Sequence, residues 1–180
     1  MIQYKSNKEN RGLEMKHTIS VLVRNEAGVL SRVADLFSGR GYNIESLTVA
    51  PTLDNEYSRL TIITTGQDSV VEQITKQLNR LIPVVKVVDL NSIDFIEREL
   101  ILCKVTAKEE ARSEILRIAE IFDAKIIDVT NKIYTIQAFG DSRQINSLIE
   151  LLRPMGIKEL VRSGKVAISR ENQFVNIKNI

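Results

Sequence analysis

The sequence predicts an α+β protein made of two copies, in tandem, of one β-α-β-β-α-β unit. Three observations lead there. Hydrophobic residues recur at a period of two in some stretches and near 3.6 in others, the signatures of strands and of amphipathic helices. The order of those stretches in residues 16–91 recurs in residues 92–170. Finally, 180 residues with 43% hydrophobic content supply core material for two small domains.

The first copy opens on Thr18 to Val23, where Ile19, Val21 and Val23 alternate with Thr18, Ser20 and Leu22 as in a strand. From Val29 to Phe37 the period lengthens, with Leu30, Val33, Ala34 and Phe37 at helical spacing, and Gly39 and Gly41 mark the stop. Two strands follow, Asn43 to Val49 and Tyr57 to Thr65, joined as a hairpin by Pro51-Thr-Leu-Asp-Asn55. Ser69 to Glu72 offers a capping box before a helix lined by Val70, Val71, Ile74, Leu78 and Leu81. The strand Val84 to Leu90 closes the unit.

The second copy reads strand Glu99 to Thr106, helix Glu109 to Phe122, strands Lys125 to Val129 and Ile133 to Phe139, and a helix from Asp141 carrying Ile145, Leu148, Ile149 and Leu152. Two last strands, Lys158 to Arg162 and Val166 to Ser169, are separated by Ser163-Gly164. Each copy is therefore a ferredoxin-like split βαβ unit, with both helices on one face of a four-stranded antiparallel sheet. The other face of such a sheet needs cover, which predicts a homodimer. Residues 1–15, polar and aperiodic, are expected to form a disordered extension, and 171–180 a tail.

Composition excludes several classes of function. The formal net charge is +2 with interspersed signs and no aromatic-basic stripe, so no nucleic-acid partner is expected. A single cysteine, Cys103, rules out an internal disulfide framework and a multi-cysteine metal or iron-sulfur site, and its apolar neighbours predict a buried thiol. No apolar run approaches the roughly 20 residues of a membrane helix. An acid-containing, Ser-poor start is unlike a transit peptide. A soluble protein of a cytoplasm or plastid stroma is expected.

The informative junction is Asn25-Glu26-Ala27-Gly28, between the first strand and the first helix. A helix start carries unpaired N–H groups and partial positive charge, suited to a small carboxylate. Gly28 permits close approach of the backbone, Asn25 both donates and accepts, and Ala27, Val29 and Leu30 could wall an apolar side chain. A free amino acid suits such a site. The single histidine, His17, has no nucleophile or acid at a telling spacing and reads as a surface or strand-edge residue.

With strand, loop and helix in place, the chain resembles an ACT domain, an amino-acid-binding regulatory module. LSRVADLFSGRGYNIESLTVAPT, then Ser58-Arg59-Leu60-Thr61, Ile126-Ile127-Asp128-Val129-Thr130 and RSGKVAISR narrow the likeness to regulatory small subunits of acetohydroxyacid synthase, or acetolactate synthase. The resemblance implies a non-catalytic chain that activates a catalytic large subunit and confers feedback inhibition by valine in branched-chain amino acid biosynthesis. Thiamine diphosphate, magnesium and FAD would bind the large subunit, and no cofactor this chain. It further implies a valine site between two protomers, with Asn25, Gly28, Val29, Leu30 and Ser31 from one and Asn43 and Ile44 from the other. Arg24 departs from relatives that carry an acid there. Without the resemblance, Ser31 reads equally as a capping hydroxyl and Asn43 as a turn residue. Two other readings stand beside it: an ACT regulator sensing another amino acid, and an acylphosphatase-like hydrolase using Arg24 and Asn43.

Overall fold

A computed structural model describes residues 15–170 and contains two four-stranded antiparallel sheets, each with two helices on one face. The first unit runs β1 (Met15–Arg24), α1 (Val29–Ser38), β2 (Ile44–Pro51), β3 (Tyr57–Gly66), α2 (Asp68–Leu78) and β4 (Val84–Asp89). Its strand order is β2-β3-β1-β4. The second runs β5 (Phe95–Thr106), α3 (Arg112–Ile121), β6 (Lys125–Val129), β7 (Ile133–Gly140), α4 (Ser142–Gly156) and β8 (Ile157–Ser169), in the matching order β6-β7-β5-β8. The α+β class and the repeated unit are as the periodicity predicts. The expected disorder of 1–14 and the tail 171–180 lie outside the described residues, whereas Met15, expected in the extension, already opens β1.

Alternation decides which face each strand buries. Ile19, Val21 and Val23 of β1, with Leu60 and Ile62 of β3, pack under Val33, Phe37, Ile74 and Leu78 of the helices. Ile101, Cys103 and Val105 of β5 do the same beneath Ile115, Ile118, Leu148 and Leu152. Fully burying each large aliphatic side chain is worth about 1.5–3 kcal/mol, so each unit carries its own core. Cys103 is wholly buried, as expected, and burial pushes its thiol pKa up.

Several local expectations give way to tertiary structure. The Ser69–Glu72 capping box does not form: α2 starts one residue earlier, at Asp68 after Gln67, with no side-chain cap. Capping-box geometry appears instead at α4, where Asp141 accepts from Gln144 N and Gln144 returns a bond to the Asp141 N–H. Glu109–Ala111 forms a 3-10 turn rather than the start of α3. The last strand is a single element: β8 stays paired to β5 through Ser163-Gly164 by shifting register between Glu99 and Ile101. Gly164 takes φ 79°, which lets a bulge replace the predicted break.

His17 is not at the surface. It is 3% exposed, on the helix-facing side of β1, with Nε2 3.5 Å from Asp68 and Nδ1 3.6 Å from Asp89. Strand pairing and α2 bring together acids that are distant in sequence. Asn91, in the 3-10 turn after β4, ties the start of β1 by accepting from Thr18 N and donating to the Lys16 carbonyl.

The outer face of the first sheet is covered in part by this same chain. β8 lies across it: the Thr48 hydroxyl donates to the Lys165 carbonyl at 2.7 Å, and Leu22, Thr61 and Ile63 are buried. A Cβ on Gly164 would sit 2.5 Å from Ser46 Oγ and 3.0 Å from Thr48 Cγ2, so glycine also permits this close crossing. Among the described residues no helix is long and apolar enough to cross a membrane.

Candidate functional site

The Asn25–Gly28 loop is held by backbone before any ligand arrives. Asn25 N donates to Glu56 O at 2.7 Å, Glu26 N to Arg24 O at 3.0 Å, and Arg24 N to Pro83 O at 2.8 Å. The Asn25 side chain donates Nδ2 to the Asn55 carbonyl at 3.0 Å, fastening the loop to the β2–β3 hairpin and leaving its Oδ1 the acceptor of the pair. Asn25 is thus first a fastener of the loop.

Gly28 is the residue before α1 and adopts φ 82°, ψ −1°, a left-handed conformation that side chains disfavour. A Cβ there would meet nothing within 4 Å. Glycine is therefore required by backbone conformation, while the space beside it is open. No side chain caps α1 and its first turn contains no acid. Arg32 N donates to Gly28 O at 3.1 Å, and the N–H groups ahead of it lie at the partially positive start of α1, next to Gly28.

The other predicted residues divide by exposure. Leu30 is 42% exposed and Ser31 exposed, both accessible from the loop side. Val29 is 4% exposed and belongs to the core, so it supports α1 rather than walling a pocket. Ser31 makes no side-chain cap bond, contrary to its reading as a capping hydroxyl. Arg24 pairs with exposed Glu26 at 3.8 Å, a contact that contributes little.

Asn43 and Ile44 lie elsewhere in the same chain. Ile44 pairs with Thr64, whose other neighbour is His17, whereas Arg24 pairs with Tyr57. The two groups are separated by the length of β1 from His17 to Arg24, roughly 24 Å at about 3.4 Å per residue. Asn43 is exposed, and its carbonyl accepts from Thr64 Oγ1 at 2.7 Å. Arg24 and Asn43 are thus at opposite ends of the sheet, which removes the pair on which the acylphosphatase-like reading rested.

The equivalent junction in the second unit is closed. Arg112 donates Nε to Ala107 O at 3.2 Å and Nη2 to Asn131 O at 2.8 Å, so a side chain fills the turn between β5 and α3. Between the units, a polar cavity of about 350 Å³ is lined by Lys16, Glu45, Glu99, Arg162 and Lys165. Its cations are already matched: Lys16 to Glu45 at 2.6 Å, Arg162 to Glu99 at 2.6 Å, and Lys165 to Glu97 at 3.0 Å. The Lys16 ammonium and the Thr65 hydroxyl hold the Glu45 carboxyl below the usual range. Each of these ion pairs lies within one unit, so the seam, which periodicity could not foresee, sets matched charges of the two units side by side.

Comparison with known proteins gives consistent results. Residues 19–86 match the family described as AHAS small subunit-like ACT domain, and residues 98–171 the family described as small subunit of acetolactate synthase. The chain is 53% identical over 162 residues to the acetolactate synthase small subunit of Aquifex aeolicus, covering 89% of this chain and 84% of that one. It is 48% identical to the isozyme 3 small subunit of Salmonella typhimurium, covering 89% and 99%. The crystal structure of the acetolactate synthase small subunit from Thermotoga maritima superposes with a TM-score of 0.78 at 40% identity, covering 88% and 99%.

Proposed function

Because the chain belongs to the acetolactate synthase small-subunit family, we propose that it is a non-catalytic regulatory subunit that activates the catalytic large subunit and makes it inhibitable by valine. The observation that carries the valine reading is the junction at Gly28: an open left-handed glycine before an uncapped helix with no acid in its first turn. A ligand carboxylate there gains about 0.3–1 kcal/mol from the helix end, and Asn side chains can serve the ammonium and the remaining oxygen. Burial of the isopropyl group adds the rest.

The roughly 24 Å separation of Asn43 from Gly28 supports a site shared by two chains. β2 is an edge strand, and an antiparallel pairing of two β2 edges brings Asn43 and Ile44 of one copy toward the loop of the other. Leu47 and Val49, 36% and 43% exposed, give that edge apolar surface to cover. Inhibition then requires that valine bind more tightly to an arrangement in which the large subunit is less active, with coupling of about 1–3 kcal/mol. Thiamine diphosphate, magnesium and FAD belong, in this reading, to the large subunit.

Isothermal titration of the purified chain with L-valine tests the sensor, with L-leucine and D-valine as comparisons. Saturable, stereoselective binding of valine is expected, with leucine weaker because an added methylene is worth about 1–3 kcal/mol in a fitted pocket. No binding by the chain alone or with the large subunit would sink the valine reading. Activation is read separately, as the increase in large-subunit turnover on adding this chain.

A further inference from the structure

We propose that the apolar cavity between the β2–β3 hairpin and the end of β8 binds a short, branched aliphatic monocarboxylate, at a site separate from the Asn25–Gly28 loop. The cavity measures about 450 Å³, within the range of small-molecule sites, and lies between two packed units, a common place for such sites. Thr48 and Ala50 of β2 with Arg59 and Thr61 of β3 form one wall, and Val166 and Ile168 of β8 form the opposite one. Strand pairing places Ala50 beside Arg59 and Thr48 beside Thr61.

The chemistry of the lining selects the ligand. Val166 and Ile168 are 55% and 54% exposed, and Leu53 at the hairpin tip is 108% exposed, so apolar surface awaits cover. Arg59 brings a cation to this apolar surface, and burial holds its guanidinium below its ordinary pKa, the mark of a partly desolvated charge. Among the described residues, no Asp or Glu lines the cavity. A zwitterion would leave its ammonium unmatched there, and a neutral molecule would not use the arginine. A monoanion with a branched apolar body satisfies both. Arg59 already has an interaction of its own, but a guanidinium carries five N–H donors, so a carboxylate can share it. The inference does not depend on valine binding at Gly28.

Methyl NMR of the full chain, following Ala50, Val166 and Ile168, tests the site with 3-methylbutanoate as probe. Saturable shifts are expected with the carboxylate and not with 3-methylbutanamide, which has the same shape without the charge. Arg59→Gln should weaken binding by roughly tenfold or more. Ile168→Asp, which sets a like charge against the ligand, should abolish it even if Arg59→Gln perturbs the fold. An L-valine titration of the same sample reports on the loop independently. The proposal is overturned if the carboxylate produces no saturable shift, or if the amide or Arg59→Gln behaves as the reference. It is equally overturned if only protein dilution or removal of residues 171–180 moves these signals, since the occupant would then be a second copy or the chain's own tail.

Discussion

Gly28 shows how one residue separates fold from function. Its φ of 82° makes Gly28→Ala cost about 1 kcal/mol in stability, although a methyl group meets nothing within 4 Å. Gly28→Asp incurs a similar backbone cost and adds a carboxylate where the effector's own is proposed to lie. The expected outcome is loss of valine inhibition with activation of the large subunit retained, measured by assays with and without valine. Loss of both would assign Gly28 to the fold alone. The left-handed turn at Gly28 was legible because a polar loop ending in glycine before a helix favours one. The burial of Val29 was not, because helical phase, not proximity to the loop, decides that it faces the core. His17 was misread for the opposite reason: Asp68 and Asp89 reach it through a helix start and a strand end that no local pattern connects.

Between elements, Gly164 and the Thr48 hydroxyl on the Lys165 carbonyl bring the two units together. Gly164→Ala should cost about 1–3 kcal/mol, from its φ of 79° and from the clash with Ser46. Faster amide exchange around Ser46–Thr48, with unchanged far-UV circular dichroism, is the expected signature. Unchanged exchange would show that β8 does not need this contact. A pH effect follows from Glu97. Burial pushes its pKa up, but the Ser142 hydroxyl and N–H together with Lys165 outweigh that and hold it below the usual value. A lowered folded pKa means that the stabilisation is fully present above the unfolded value, about pH 4.3, and is lost as pH falls through the folded one. Acid titration should therefore loosen the α4 start and the β8 crossing, and Glu97→Gln should remove that part of the pH dependence in thermal melts. The strands and helices were legible from periodicity, but the Ser163-Gly164 pair, read as a break, becomes a bulge because pairing to β5 continues across it.

For the whole molecule, the cover expected from a second chain is supplied partly by the second unit, and this exchange moves the open surface elsewhere. The outer side of the β5–β8 sheet carries Leu100 and Leu102, each 37% exposed, Val161 at 52% and Phe139 at 62%. Strand pairing places Leu100 beside Phe139 and Leu102 beside Val161, making one continuous apolar patch. Leu102→Glu should weaken capture by the large subunit while leaving the Ile101–Cys103–Val105 core intact. Unchanged capture would show that the patch is not that interface. Sequence predicted that a sheet face needs a partner; which sheet remains open depends on how the units dock, and that rests on side chains far apart in the chain.

The proposed effector site, assembled from opposite ends of two equivalent chains, occurs twice in each symmetric pair and vanishes when the pair separates. Effector affinity then depends on protein concentration: diluting the chain weakens the sensor even with effector held constant, and effector in turn draws separated chains together.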